Sequence, residues 1–122
     1  MISRMTVALV SSFLFATGAL ATDAVSQHGG RVVEAGEYHV EIVSKAGTVD
    51  VFLADHSNKA VRSTGHKGLA ILVVEGKSQR IVLEPADESK LSGKAAGDLP
   101  GAPKGVVQIT LPGGKTVQAR FN

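Results

Sequence analysis

Two neighbouring stretches of the chain alternate apolar and polar residues with a period of two. Residues 38–43 put Tyr38, Val40 and Ile42 on one face and His39, Glu41 and Val43 on the other. Residues 48–54 repeat the pattern, with Val49, Val51 and Leu53 opposed to Asp50, Phe52 and Ala54. Successive side chains of a strand point to opposite faces, so this alternation predicts two half-buried β-strands. Ala46-Gly47 between them supplies a turn. No stretch of the chain holds a helical apolar period for three turns.

The remaining segments read the same way. Residues 69–74 form a continuous apolar run, which predicts a strand buried on both faces. Glu75-Gly76-Lys77 turns the chain into an alternating segment over 79–83. Residues 85–104 are rich in Ala, Gly, Pro, Asp and Lys and read as a long loop with one short strand around 90–92. Residues 105–111 and 115–121 form a hairpin across Pro112-Gly113-Gly114, and 32–34 make a further short strand. Short strands at this spacing predict an all-β chain: a single small antiparallel β-sandwich or partly open barrel, immunoglobulin- or cupredoxin-like. There is no internal repeat.

The first residues read as an export leader rather than as part of that fold. Arg4 gives a positive start, residues 5–20 are mostly apolar, and Ala19-Leu20-Ala21 is a small-x-small cleavage pattern. A membrane anchor is the competing reading, but the stretch is barely long enough to span, and Ser11, Ser12 and Thr17 weaken it. The expected organisation is a signal peptide over 1–21 and a β-sandwich domain over 22–122, with no membrane span once the leader is removed. The periplasm is the expected destination. About one hundred residues suffice for one core of this type.

Composition removes several functions. The 43% hydrophobic and 20% charged content is that of a globular domain, not a disordered tail. Thirteen Lys/Arg against eleven Asp/Glu give no basic stripe for nucleic acid. The absence of Cys excludes disulfides, thiolate metal sites and a Cys nucleophile. There is no nucleophile elbow, no His-Glu-x-x-His and no phosphate-binding loop. The expectation is therefore no enzyme and no organic cofactor.

All four histidines, His28, His39, His56 and His66, lie in the first part of the chain. His39 and Glu41 are two apart on a strand, share a face about 7 Å apart, and can reach a common ion. Imidazole and carboxylate together suit zinc, copper(II) or nickel, of which zinc or copper(II) is the expected ion. Met1 and Met5 leave with the leader, so a methionine-rich cuprous site is excluded. His28 is followed by Gly29-Gly30, which lets the backbone turn sharply. His56 follows a strand end, where sites are commonly carried. The candidate metal ligands are thus His28, His39, Glu41, His56 and His66. Four of them also have a plain structural reading: His28 solvated in a lead-in, His39 a half-exposed cross-strand neighbour, Glu41 a surface charge and His56 the cap of a turn. Asp55 is expected to close its own turn.

His28-Gly29-Gly30-Arg31-Val32-Val33-Glu34, then Gly36-Glu37-Tyr38-His39-Val40-Glu41, then Val49 to Asp55-His56 resemble small periplasmic proteins and domains that accompany the adaptor subunits of heavy-metal efflux systems of the resistance-nodulation-division type. Gly68-Leu69-Ala70-Ile71-Leu72, Arg80-Ile81-Val82-Leu83-Glu84-Pro85 and Gly114 to Phe121 extend the resemblance over nearly all of residues 28–121. It implies a periplasmic β-sandwich linked to transition-metal handling, with His28, Glu41 and His56 as matching positions. The function expected is zinc or copper buffering or delivery, with an efflux adaptor or other envelope protein as partner. The alternative is a non-catalytic structural or interaction module of the envelope with incidental histidines. Convergence of the imidazoles in the fold discriminates between the two.

Overall fold

A computed structural model describes residues 25–122. The proposed leader lies outside these residues. The described chain is all-β, with eight strands: β1 (Arg31–Ala35), β2 (Tyr38–Lys45), β3 (Thr48–Ala54), β4 (Lys67–Val74), β5 (Lys77–Asp87), β6 (Lys90–Lys94), β7 (Lys104–Thr110) and β8 (Thr116–Phe121). All pairings are antiparallel, in one sheet of order β1-β2-β3-β6-β5-β4-β7-β8. The first and last strands of that order lie against each other, so the sheet curls into a nearly closed barrel. Closure removes most of the exposed edge that a sheet otherwise presents.

The expected alternation is what fills the barrel. Val40 and Ile42 on β2 and Val49, Val51 and Leu53 on β3 point inward and are buried. Leu72, Leu83, Leu91, Val107, Ile109 and Phe121 meet them from the other strands. Each such side chain removed from water contributes about 1.5–3 kcal/mol. Two hairpins turn through paired left-handed residues, Ala46-Gly47 (φ 51° and 75°) and Glu75-Gly76 (φ 52° and 78°). That conformation matches the twist of the strands it joins.

The seam between β1 and β8 is clasped by Arg31. Its Nη2 donates to the Asn122 carbonyl at 2.6 Å and its Nη1 to the Pro103 carbonyl at 3.4 Å. Its guanidinium carbon stands 6.0 Å from the centre of the Phe121 ring.

Two expectations are corrected. Strand β5 does not end at Leu83 but runs on to Asp87, changing partner from β4 to β6 on the way. The register shifts between Pro85 and Asp87. Proline supplies no N–H to a ladder, so an irregularity of this kind is where a strand tolerates it. Nor is β4 buried on both faces: Ala70 and Leu72 face the core, while Leu69 and Ile71 are half-buried and Val73 is exposed.

Candidate functional site

Glu41 lies on the outward face of β2, where a carboxylate ordinarily meets water. It is buried instead, because residues 25–30 cross above it as a strap. Ser26 Oγ donates to Oε2 at 2.9 Å and the Gly30 N–H at 2.7 Å; the Gln27 N–H donates to Oε1 at 3.1 Å. The His28 N–H reaches both oxygens, at 3.2 and 3.1 Å. His28 Nδ1 stands 3.1 Å from Oε1. A carboxylate oxygen only accepts, so Nδ1 is the donor and the neutral ring keeps its lone pair on Nε2.

Burial alone would push the Glu41 carboxyl up. The hydrogen bonds from Gly30, His28, Ser26 and Gln27 outweigh it and hold the group below the ordinary carboxylate value. The strap lies so close to β2 that a Cβ at Gly30 would collide with the Ile42 carbonyl. His28 is further fixed by stacking on Phe52, with ring centres 3.6 Å apart and planes 8° from parallel. The surface reading of Glu41 therefore gives way to a buried one, while the His28 ring stays 39% exposed though held by Glu41 and Phe52.

His39 is 3% exposed, not the half-exposed neighbour its position on a strand suggests. Its Nδ1 lies 2.9 Å from Asn58 Oδ1, again an acceptor, which places the neutral ring's lone pair on Nε2. That Nε2 has no hydrogen-bond partner. Glu34, directly opposite His39 in the β1–β2 register, brings its Oε1 to 3.6 Å, beyond hydrogen-bond range.

Asn58 belongs to the turn after β3. Asp55 closes that turn as expected: its Oδ1 accepts from the Ser57 N–H at 2.8 Å and the Lys59 N–H at 3.0 Å. Asn58 sits at φ 60°, a region asparagine tolerates better than most residues. Its carbonyl accepts from Gln27 Nε2 at 2.7 Å, tying the turn to the strap. The same turn carries His56, exposed, whose ring stands edge-on to that of His39 with centres 6.1 Å apart.

His28, His39 and Glu41 line one cavity of about 20 Å³, with Phe52 and Leu53 among its walls. It has room for about one water molecule. His66 does not join them. It is buried beside Lys67, Glu84 and Pro85 in a separate cavity, with Nδ1 at 3.2 Å from the Thr64 carbonyl.

Four of the five candidate ligands are thus neighbours and one is not. Glu41 has both oxygens engaged by protein donors. Among the described residues, no group of three or more His, Cys, Asp or Glu side chains is placed to hold a metal ion. Glu34 and Asn58 were not singled out from the sequence. Their outward alternation and turn position are visible there, but the register that brings them to His39 is not. No helix among the described residues is long and apolar enough to cross a membrane.

Compared with protein-family models, with curated proteins and with solved structures, the chain matches none.

Proposed function

We propose that the protein is a reversible binder of a transition-metal ion, zinc or copper(II), that buffers or delivers it in the periplasm. The observation that supports this reading is the bare, buried Nε2 of His39. Leaving a buried polar atom unpaired costs about 1–3 kcal/mol, and a metal ion satisfies an imidazole lone pair directly. The hydrogen bond from the other ring nitrogen is the arrangement that orients metal-binding histidines, and both His39 and His28 have one. Glu41 then orients His28 rather than touching the ion. The reading contains no catalytic step. The periplasmic setting rests on the leader over residues 1–21, and the association with an efflux adaptor rests on the resemblance in residues 28–121.

Native mass spectrometry of the purified protein with zinc and cupric ions tests the proposal. One tightly held ion per chain supports it. Only a ladder of weak, equal additions would overturn it. Because imidazole must be neutral to bind, affinity should weaken as the solution is acidified.

A second reading, an envelope interaction module, is favoured by a different region. On the outer surface of β4, β5 and β7, Leu69 pairs with Val82 and Ile71 with Val106, and Val82 is 66% exposed. Photo-crosslinking from position 82 in intact cells tests it: a single discrete adduct supports a docking role, and none contradicts it.

A further inference from the structure

Resting on the interaction-module reading and not on the metal site, we infer that the outer face of β4, β5, β7 and β8 docks on an anionic lipid surface. Strand register sets the side chains of this face in rows. Arg80 stands opposite Ile71, Ile71 opposite Val106, and Val106 opposite Arg120. In the neighbouring rows Val82 stands opposite Leu69, and Val73 opposite Lys104. Residues two apart on a strand keep the same face, so Leu69, Ile71, Val73, Val82 and Val106 all lie on it. Val82 is 66% exposed and Val73 45%. An apolar stripe therefore runs along the face with an arginine on each flank.

The charge of the barrel is one-sided. Residues 67–84 and 104–121 carry Lys67, Lys77, Arg80, Lys104, Lys115 and Arg120 against Glu75 and Glu84. All six cations are exposed. The rest of the described chain, residues 25–66 and 85–103, carries six Lys/Arg against eight Asp/Glu. Among the described residues, none of the six cations on the first side belongs to an ion pair. Cations of this kind beside exposed apolar side chains complement a partner that is anionic at its surface and apolar beneath.

Shape selects a lipid surface over a protein segment. Strands β4 and β7 are paired on both sides, so this face offers no free edge to which a partner strand could add. The outer face of a barrel is convex: β4 and β7 form its crest, and β5 and β8 fall away on either side. Against a bilayer, the crest presents Leu69, Ile71, Val73 and Val106, and the arginines of the flanking strands meet the phosphates. Neighbouring strands lie about 4.8 Å apart, so the Arg80 and Arg120 backbones stand on the order of 14 Å apart across the apolar row. A single small anion does not fill that span, whereas a layer of headgroups does. The stems of the two arginines can lie along the apolar row while their guanidinium groups stay in water.

The test uses the full chain, which has no Cys, so one introduced Cys carries one dye. An environment-sensitive fluorophore is placed at Val82→Cys on this face or at Lys59→Cys in the turn after β3. Vesicles of equal parts phosphatidylglycerol and phosphatidylcholine are compared with vesicles of phosphatidylcholine alone. The dye at position 82 should shift to the blue on the anionic vesicles only, and the dye at position 59 on neither. Each cation near an anionic surface strengthens binding about fivefold, so Arg80→Gln with Arg120→Gln should weaken it roughly 25-fold. Lys45→Gln with Lys94→Gln removes the same charge from β2 and β6 and should change binding by no more than about twofold. All four residues are exposed, and unchanged urea midpoints show that both pairs of substitutions leave the barrel folded. A dye at position 82 that does not shift, or two charge pairs of equal effect, overturns the proposal. The adduct formed by a photo-crosslinker at position 82 in intact cells separates the proposal from the reading beneath it. A lipid adduct supports both. A protein adduct overturns the lipid proposal while the docking reading stands, and with no adduct both fall.

Discussion

The 2.9 Å hydrogen bond between His39 Nδ1 and Asn58 Oδ1 decides which side of a buried imidazole is available for chemistry. One residue comes from the start of β2 and the other from a turn nineteen positions later. Substituting Asn58 by Ala removes the acceptor and places a less suitable residue at φ 60°. A destabilisation of about 1–2 kcal/mol is expected. Urea unfolding checks it, and Asn58→Gly, which relieves the backbone but not the lost acceptor, should recover only part.

Glu41 makes the strap sensitive to acid. Its folded-state pKa lies below the ordinary value, so the unfolded chain takes up a proton first as pH falls. The stabilisation is fully present above the ordinary glutamate value of 4.5 and is lost progressively as pH falls below it. Urea midpoints measured between pH 7 and pH 3 should decline in that window. Glu41→Gln should flatten the decline and cost on the order of 2 kcal/mol at neutral pH, because donors once held by a charge lose it. An unchanged pH slope in that variant would mean the acid sensitivity lies elsewhere.

Gly30 tests how closely the strap is applied. Alanine there drives a Cβ into the Ile42 carbonyl and displaces the N–H that reaches Glu41 at 2.7 Å. Hydrogen exchange should accelerate across residues 26–30 in Gly30→Ala while β4 and β7 stay protected. Uniform loss of protection would show that the strap and barrel unfold as one unit.

Inside and outside of the barrel should respond differently to truncation. Leu72 is fully buried, so Leu72→Ala should cost about 2–5 kcal/mol. Val82 faces solvent, and Val82→Ser should change stability by no more than about 0.5 kcal/mol. Thermal or urea unfolding of the two variants separates them.

Much of the fold was legible because alternation is a local signal. Val49, Val51 and Leu53 announce their inward face without reference to any partner. The run from Leu69 to Val74 misled for the same reason: an apolar sequence does not say whether a second layer exists to cover it, and none lies over Val73. Pro85 hid the end of β5, because a proline argues against a strand unless a register shift is known. At the site, His39 and Glu41 were rightly placed on one face. Their burial was not foreseeable, since it depends on the strap folding back across β2. The separation of His66 and the arrival of Glu34 and Asn58 are likewise matters of register and long-range return, which no local pattern encodes.

The most direct test is calorimetric titration of zinc into the wild type, His39→Ala and His66→Ala. The wild type and His66→Ala should each bind one ion with the same affinity, and His39→Ala should show no stoichiometric binding. Equal binding in His39→Ala, or no binding in the wild type, would contradict the account.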